Sequence, residues 1–203
     1  MTTTAASKSD LLAYLEKSLS SERMKHVLGV RDTAIEYAGA HGVDVERAET
    51  AALLHDAAKW MSIPTQFAQC ARYGVLLMRE DRVSPVALHG YIAAEVGRER
   101  YGIGPDVCEA VRCHTTGKPH MTDLDMVLYA ADFSEPSRPF PEAATARDMV
   151  MADLLDGVIC TMEFRLQALM RKGRLIHPRT VHARNALLAR DSAAVWCARG
   201  GVG

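Results

Sequence analysis

The chain has 203 residues, 48% hydrophobic and 24% charged, with a formal net charge of -1. This length suits one domain with a sizeable core rather than two. The near-neutral balance gives no basic excess for nucleic acid to find, and no apolar run approaches the roughly 20 residues of a membrane span.

The amino-terminal stretch "MTTTAASKSD" lacks the apolar segment of a secretory signal, and residues 1–9 are expected to form a flexible leader. The dominant hydrophobic period thereafter is helical, with no convincing alternating strand. "DLLAYLEKSL" opens after Ser9 with Leu11, Leu12, Leu15 and Leu19 on one stripe. A second helix is expected from about Ser21 to Ala40, ended by "HGVD". Asp44 suits the N-cap of a third helix reaching His55, with Glu46 and Glu49 early, as the helix dipole prefers. Pro64 fits the first turn of a helix that fades by Tyr73-Gly74.

Pro85 and Gly102 bracket the next helix, "SPVALHGYIAAEVGRERYG", and "GPDVCEAVRCHTTGKP" repeats that grammar. In "MTDLDMVLYAADF", Thr122 and Asp125 have capping-box spacing, followed by a stripe of Leu124, Val127, Leu128 and Ala131. The three prolines of "SEPSRPFP" break the chain. One long helix is expected from about Ala143 to Arg171, then a last one in "HPRTVHARNALLAR". The glycine-rich end, 191–203, is expected to be a disordered tail. The fold class is all-α, with a single domain at 10–190.

Five cysteines, an odd number without a CxxC pair, argue against a disulfide framework and for a reducing cytoplasm. Cys108, Cys113 and His114 offer a weak zinc pattern; small core residues are the plainer reading.

The apolar run "AALLHDAAKW" carries His55, Asp56 and Lys59, and burying such groups unpaired is costly. On a helix His55 and Lys59, four apart, share a face, as do Arg23 and His26, three apart. His89 falls early in one helix, His114 at the end of another, and Asp132 near the end of a third. Imidazoles and carboxylates together suit iron, manganese or zinc, and one carboxylate can bridge two ions. Each group also has a plainer role. A His-Asp dipeptide is common, His89 and His114 can bond carbonyls at helix ends, and Asp132 can cap the following turn. Lys59 can snorkel into water, and Arg23 and Arg138 can pair with acids at the surface. His41, His120, His177 and His182 receive no role.

"RMKHVLGVRDTA", "AALLHDAAK", "LHGYIAAE", "CHTTGKPHMTDLDMVLYAADFSEPSR" and "GRLIHPRTVHARNALL" together resemble the YqeK-type branch of the HD-domain metal-dependent phosphohydrolases. The resemblance runs from about residue 10 to residue 190. It implies a helical HD fold, iron (one or two ions, with manganese or another divalent metal as substitutes) and symmetrical hydrolysis of diadenosine tetraphosphate to two ADP. It places His26, His55, Asp56 and Asp132 as core ligands, with His89 and His114 as additional ones and Asp56 bridging. Asp56 and Lys59 become the catalytic pair, with Lys59 neutralising or protonating the leaving phosphate. Arg23, Arg138, Thr115, His89, Gly90, Tyr91 and His114 become substrate contacts, Gly90 allowing close approach and Tyr91 stacking on base or ribose. The partners implied are a dinucleoside polyphosphate and the ADP product, with no membrane or nucleic acid and a homodimer left open. Two alternatives stay beside it: a phosphohydrolase for nucleoside mono- or triphosphates, and a metal-bound nucleotide sensor without useful turnover.

Overall fold

The structure, a computed structural model, describes residues 8–190, and every described element is helical. The expected tail and residues 1–7 of the expected leader lie outside the described residues, while Lys8 and Ser9 already belong to the first helix. The helices are α1 (Lys8–Ser18), α2 (Ser21–His41), α3 (Val45–Leu54), α4 (Ile63–Arg72), α5 (Arg79–Val83), α6 (Leu88–Tyr101), α7 (Pro105–Cys113), α8 (Asp123–Ser134), α9 (Glu142–Ala152), α10 (Leu154–Arg171) and α11 (Pro178–Arg190), with a short 3-10 turn at Pro85–Ala87. No helix among the described residues is long and apolar enough to cross a membrane.

Local chemistry sets most boundaries. Ser20 accepts a hydrogen bond from the Arg23 amide at the start of α2, and Gly42, at φ 68°, closes that helix in the left-handed region. Asp44 caps α3 through the Arg47 amide at 3.0 Å. Both arms of the capping box that opens α8 form: the Asp125 amide donates to Thr122 Oγ1 at 3.3 Å, and the Thr122 amide to Asp125 Oδ2 at 2.7 Å.

Helix α8 is the centre of the molecule. Leu124 through Ser134 are all buried, and α2, α3, α7, α9 and α10 pack around it. A helix so enclosed can keep a polar side chain only where a neighbour answers it. That constraint puts Asp132, on its last turn, opposite the polar groups of α2 and α10.

Two expectations about helices need correction. The single helix from Ala143 to Arg171 is broken at Asp153, which adopts an extended backbone (φ -154°, ψ 125°) and caps α10 through the Asp156 amide at 2.9 Å. Gly157 then lets α10 fold back onto α9, because any Cβ there would strike the Val150 backbone. The second correction concerns "HDAAKW". Helix α3 ends at Leu54, and the chain continues in tight turns: Ala57 bonds to Leu54 O at 3.0 Å, Lys59 to Asp56 O at 2.9 Å and Met61 to Ala58 O at 3.2 Å. These three-residue turns advance the chain by nearer 120° than 100° per residue. The α-helical spacing that would set Lys59 over His55 is thus not kept, and the Lys59 ammonium reaches His89, 3.3 Å from its Nδ1. The short helix α5 also escaped the hydrophobic period; Asp81 anchors its start by accepting from the Met78 amide at 3.0 Å.

Candidate metal centre

Six side chains from five places in the chain converge on one buried point. They are His26 on α2, His55 and Asp56 just after α3, His89 on α6, His114 at the end of α7, and Asp132 on α8. None is more than 9% exposed. Their ligand atoms fall into two sets that share Asp56: His26, His55 and Asp56, and Asp56, His89 and His114, with all atoms of each set within 4.8 Å of one another. Asp56 Oδ2 lies 3.8 Å from His26 Nε2 and 3.6 Å from His55 Nε2, while Oδ1 lies 3.1 Å from His89 Nε2. Asp132 Oδ1 closes the first set, 3.2 Å from His26 Nε2 and 4.0 Å from His55 Nε2. One carboxylate thus turns an oxygen to each group of histidines, as a bridge between two ions requires.

The outer nitrogens decide what the inner ones can do. His55 Nδ1 is 2.6 Å from the Ala52 carbonyl and His114 Nδ1 is 2.7 Å from the Val111 carbonyl. A carbonyl only accepts, so each Nδ1 carries the proton and each Nε2 presents a lone pair. His55 Nε2 is buried with no hydrogen-bond partner among the described residues, and what faces it are carboxylate oxygens. A lone pair facing anions in a dry site is satisfied by a cation. The donor set of neutral imidazoles and carboxylates fits a divalent metal on that ground.

Electrostatics agree. Burial lowers the pKa of His55, of His89 and, more strongly, of His114, where His89 and His55 add to the effect. Burial alone would raise Asp56, but His55, His89 and Lys59 outweigh it and hold the carboxyl well below its usual range. Asp132 behaves likewise, with His26, Arg165, Arg138 and His55 overcoming burial. At neutral pH the site therefore offers His55, His89 and His114 as neutral imidazoles and Asp56 and Asp132 as ionised carboxylates.

Cations surround the cluster. Arg23 Nη1 is 2.9 Å from Asp56 Oδ2, Arg138 Nη2 is 2.6 Å from Asp132 Oδ1, and Lys59 Nζ is 3.3 Å from His89 Nδ1. Burial lowers the Lys59 pKa, opposed by Asp56 and Asp132. Thr115 Oγ1 lies 3.2 Å from His114 Nε2, at the edge of the site.

Two expected substrate contacts meet the protein's own groups instead. Tyr91 is only 2% exposed, and its hydroxyl donates to Asp81 Oδ1 at 3.0 Å and meets Arg179, so its ring is not free to stack on a nucleotide. Gly90 does allow close approach, but what approaches is His114: an added Cβ would lie 3.1 Å from that ring and 2.9 Å from the Val111 carbonyl.

Two residues of the site escaped the sequence. Glu135 Oε1 accepts from His26 Nδ1 at 3.0 Å, while Ser137 holds the carboxylate through its amide (2.7 Å) and hydroxyl (2.6 Å). This carboxylate fixes the ring orientation of His26. Its trace in the sequence is an acid at the C-terminal end of a helix, where the dipole disfavours one. Arg165 on α10 binds Asp132 Oδ2 at 2.8 Å and lies over Tyr129, 4.8 Å from the ring centroid. A lone arginine within "MEFRLQALM" was its only signal. Cys108 and Cys113 are buried thiols bonding backbone carbonyls, outside both candidate ligand sets.

The HD-domain family matches residues 23–136, a span that opens at Arg23 and takes in all six candidate ligands and Glu135. The chain is 33% identical over 181 residues to a symmetrical bis(5'-nucleosyl)-tetraphosphatase of Halalkalibacterium halodurans, covering 87% of this chain and 95% of that one. It is 32% identical over 183 residues to the Bacillus subtilis protein of the same name, covering 90% and 98%. The crystal structure of a predicted HD superfamily hydrolase involved in NAD metabolism from Clostridium acetobutylicum superimposes with a TM-score of 0.88 at 34% identity, covering 92% of this chain and 100% of that one. The chain belongs to the HD-domain family, on the YqeK-type branch whose relatives carry the name symmetrical bis(5'-nucleosyl)-tetraphosphatase.

Proposed function

We propose that the chain hydrolyses diadenosine tetraphosphate, and related dinucleoside polyphosphates, symmetrically to two ADP. The observation that carries this is the pair of ligand sets joined through Asp56 and ringed by basic side chains. His26, His55, Asp56 and Asp132 would hold one divalent ion, and His89 and His114, with Asp56 bridging, a second; iron is the metal expected, with manganese a substitute. Bound there, such ions lower the pKa of water towards about 7 and neutralise phosphoryl oxygens.

The protein's own groups do the rest. Arg23 and Arg138 reach the carboxylates from outside and can turn their remaining N–H groups to a phosphate. Lys59 stands at His89, where negative charge on the departing ADP needs a cation or a proton. Burial of the cluster excludes bulk water and strengthens each of these attractions. The four free thiols among the described residues suit a reducing cytoplasm.

The test is hydrolysis of diadenosine tetraphosphate with added iron or manganese, and with chelator, products being separated by chromatography. Asp56→Ala is run alongside. Two ADP, lost with chelator and in the variant, is the expected result. AMP with ATP would overturn the symmetrical cut, and nucleotide bound without turnover would favour a sensor.

A further inference from the structure

The ligand cluster lies between two openings of unlike character. One is a cavity of about 550 Å³ bounded by α8, α10, α11 and the Thr115-Thr116 turn. The other, of about 330 Å³, lies among Arg23, Lys25, His26, Ser137 and Arg138.

The larger cavity is built to take a flat, partly apolar body. Phe133 and Phe164 stack at 6.4 Å with their planes 12° apart, and Phe140 meets Phe133 at 5.0 Å. All three line the cavity, whose volume falls in the range of about 300–1,000 Å³ usual for small-molecule sites. Three polar atoms on its lining residues are buried with no hydrogen-bond partner among the described residues: the Tyr129 hydroxyl, Arg165 Nε and His177 Nε2, the last of which lies 3.4 Å from Asp81 Oδ1. Tyr129 is 0% exposed. Leaving such atoms unpaired is costly, and a ligand with donors and acceptors on its rim would answer them. Arg165 also ties this cavity to the metal centre, since its guanidinium both faces the aromatic wall and binds Asp132. Thr115 makes the second link, through His114.

The smaller opening has no aromatic wall. Its cations are Arg23, Lys25 and Arg138, set against Glu22 and Glu135, and Pro139 is its one large apolar surface. Such a mouth attracts phosphate, while the one ring among its lining residues, His26, is 7% exposed and held by Glu135, so a base finds no open aromatic face there.

We propose that only one nucleoside of the substrate is held in a built pocket, the cavity of Tyr129, Phe164 and Arg165. The opposite mouth takes the far phosphates by charge alone. The chain therefore measures its cut from one end, and a nucleoside 5'-tetraphosphate is a substrate as well as the dinucleotide. In that reaction the bond between the second and third phosphates breaks. The oxygen of water ends on one phosphorus and the bridging oxygen stays on the other. The products are a nucleoside diphosphate and pyrophosphate, with the protons of water on the new terminal oxygens or in solvent. No other co-reactant is needed.

The inference rests on the phosphohydrolase reading above, and the experiment separates the two. Metal-loaded protein is assayed on diadenosine tetraphosphate, adenosine 5'-tetraphosphate and inorganic tetraphosphate, as wild type, Phe164→Ala and Tyr129→Phe. Wild type should turn adenosine 5'-tetraphosphate into ADP and pyrophosphate with kcat/KM within about tenfold of the dinucleotide, since stacking of one base is kept. Phe164→Ala should raise KM for both nucleotides at least about tenfold with little change in kcat, and leave inorganic tetraphosphate unaffected. Tyr129→Phe, which preserves packing, should raise KM for both nucleotides in the same sense if Phe164→Ala does not fold. Inactivity of wild type on the dinucleotide would overturn the phosphohydrolase reading itself. Cleavage of the dinucleotide without cleavage of adenosine 5'-tetraphosphate would overturn one-ended measurement. Unchanged KM in the folded cavity variants would overturn the pocket.

Discussion

Replacing Gly29 with alanine tests how much of the metal centre depends on Glu135. Gly29 sits inside α2, and a Cβ built there would lie 2.6 Å from Glu135 Oε2 and 3.2 Å from its Cδ. The carboxylate cannot simply swing aside, because His26 Nδ1, the Ser137 amide and the Ser137 hydroxyl hold it from three directions. Relief must come from moving Glu135 off His26, which frees a ligand ring to rotate. Loss of such an outer partner typically costs about 10–100-fold in metal affinity, or about 1.4–2.7 kcal/mol.

The helix itself gains from the same change, since alanine is favoured over glycine in a helix interior by about 1 kcal/mol. For a chain of this size that gain is worth about 2–4 °C in melting temperature, less whatever the displaced carboxylate loses. Gly29→Ala should therefore bind metal more weakly without melting earlier. Metal titration by calorimetry on the chelator-treated protein, with a thermal melt of the metal-free form, measures both quantities. Undiminished metal affinity would refute the orienting role of Glu135. A large fall in melting temperature would show that the clash is relieved through the backbone.

Other perturbations read other parts of the molecule. Lys59→Met should lower kcat by about 100-fold with metal affinity little changed, because it removes charge at the leaving phosphate and no ligand; steady-state kinetics with metal analysis tests it. Removing Asp81, fully buried and bonded to Tyr91 and the Met78 amide, should cost roughly 2–3 kcal/mol of stability in Asp81→Ala, read by urea melts, while metal affinity stays put. Alkaline stability should follow Tyr37, whose pKa burial pushes up from 10.0 to about 12. A group with a raised folded pKa contributes fully below its unfolded pKa and loses that contribution between the two values. Stability should then fall by about 2–3 kcal/mol as pH rises from 10 to 12, and Tyr37→Phe should flatten that fall in urea melts across the window.

What the sequence revealed follows from the range of the forces involved. Caps and turns are local, so Asp44, the Thr122–Asp125 box and Gly102 could be read from neighbours in the chain. The six candidate positions stood out for another reason, since each interrupts an apolar context and burial of such groups demands partners; their reading as ligands came from the family resemblance. Which partner answers which ligand was not legible. Arg165 meets Asp132 across 33 positions, and Glu135 meets His26 across 109. No period or motif encodes such pairings; they arise only when α2, α8 and α10 pack. Tyr91 shows the converse. Beside His89 in sequence it looks like part of the site, yet successive helical residues point about 100° apart, and its hydroxyl turns to Asp81. The break at Asp153 was missed because apolar residues continue through it, and a helical period says nothing of a change in axis.

The charges around the centre favour a polyphosphate chain over a single phosphate ester. Asp56, Asp132 and Glu135 are answered by Arg23, Arg138 and Arg165 in ion pairs, with the Lys59 ammonium close by at His89. The protein alone is thus close to balance. Every divalent ion added to the ligand sets leaves positive charge in a dry site, and that excess must be met by the substrate. A tetraphosphate bridge carries about four negative charges, spaced along a chain that can span from the Arg165 side to the Arg23 side. A monophosphate ester brings about two, at one end only, and leaves cations on the far side unanswered. Affinity should accordingly rise with the number of phosphates and fall steeply with salt. Inhibition constants for AMP, ADP, ATP and adenosine 5'-tetraphosphate, measured at low and high ionic strength, would expose this dependence. Equal affinities along that series would mean that the arginines are committed to the carboxylates and take no part in binding.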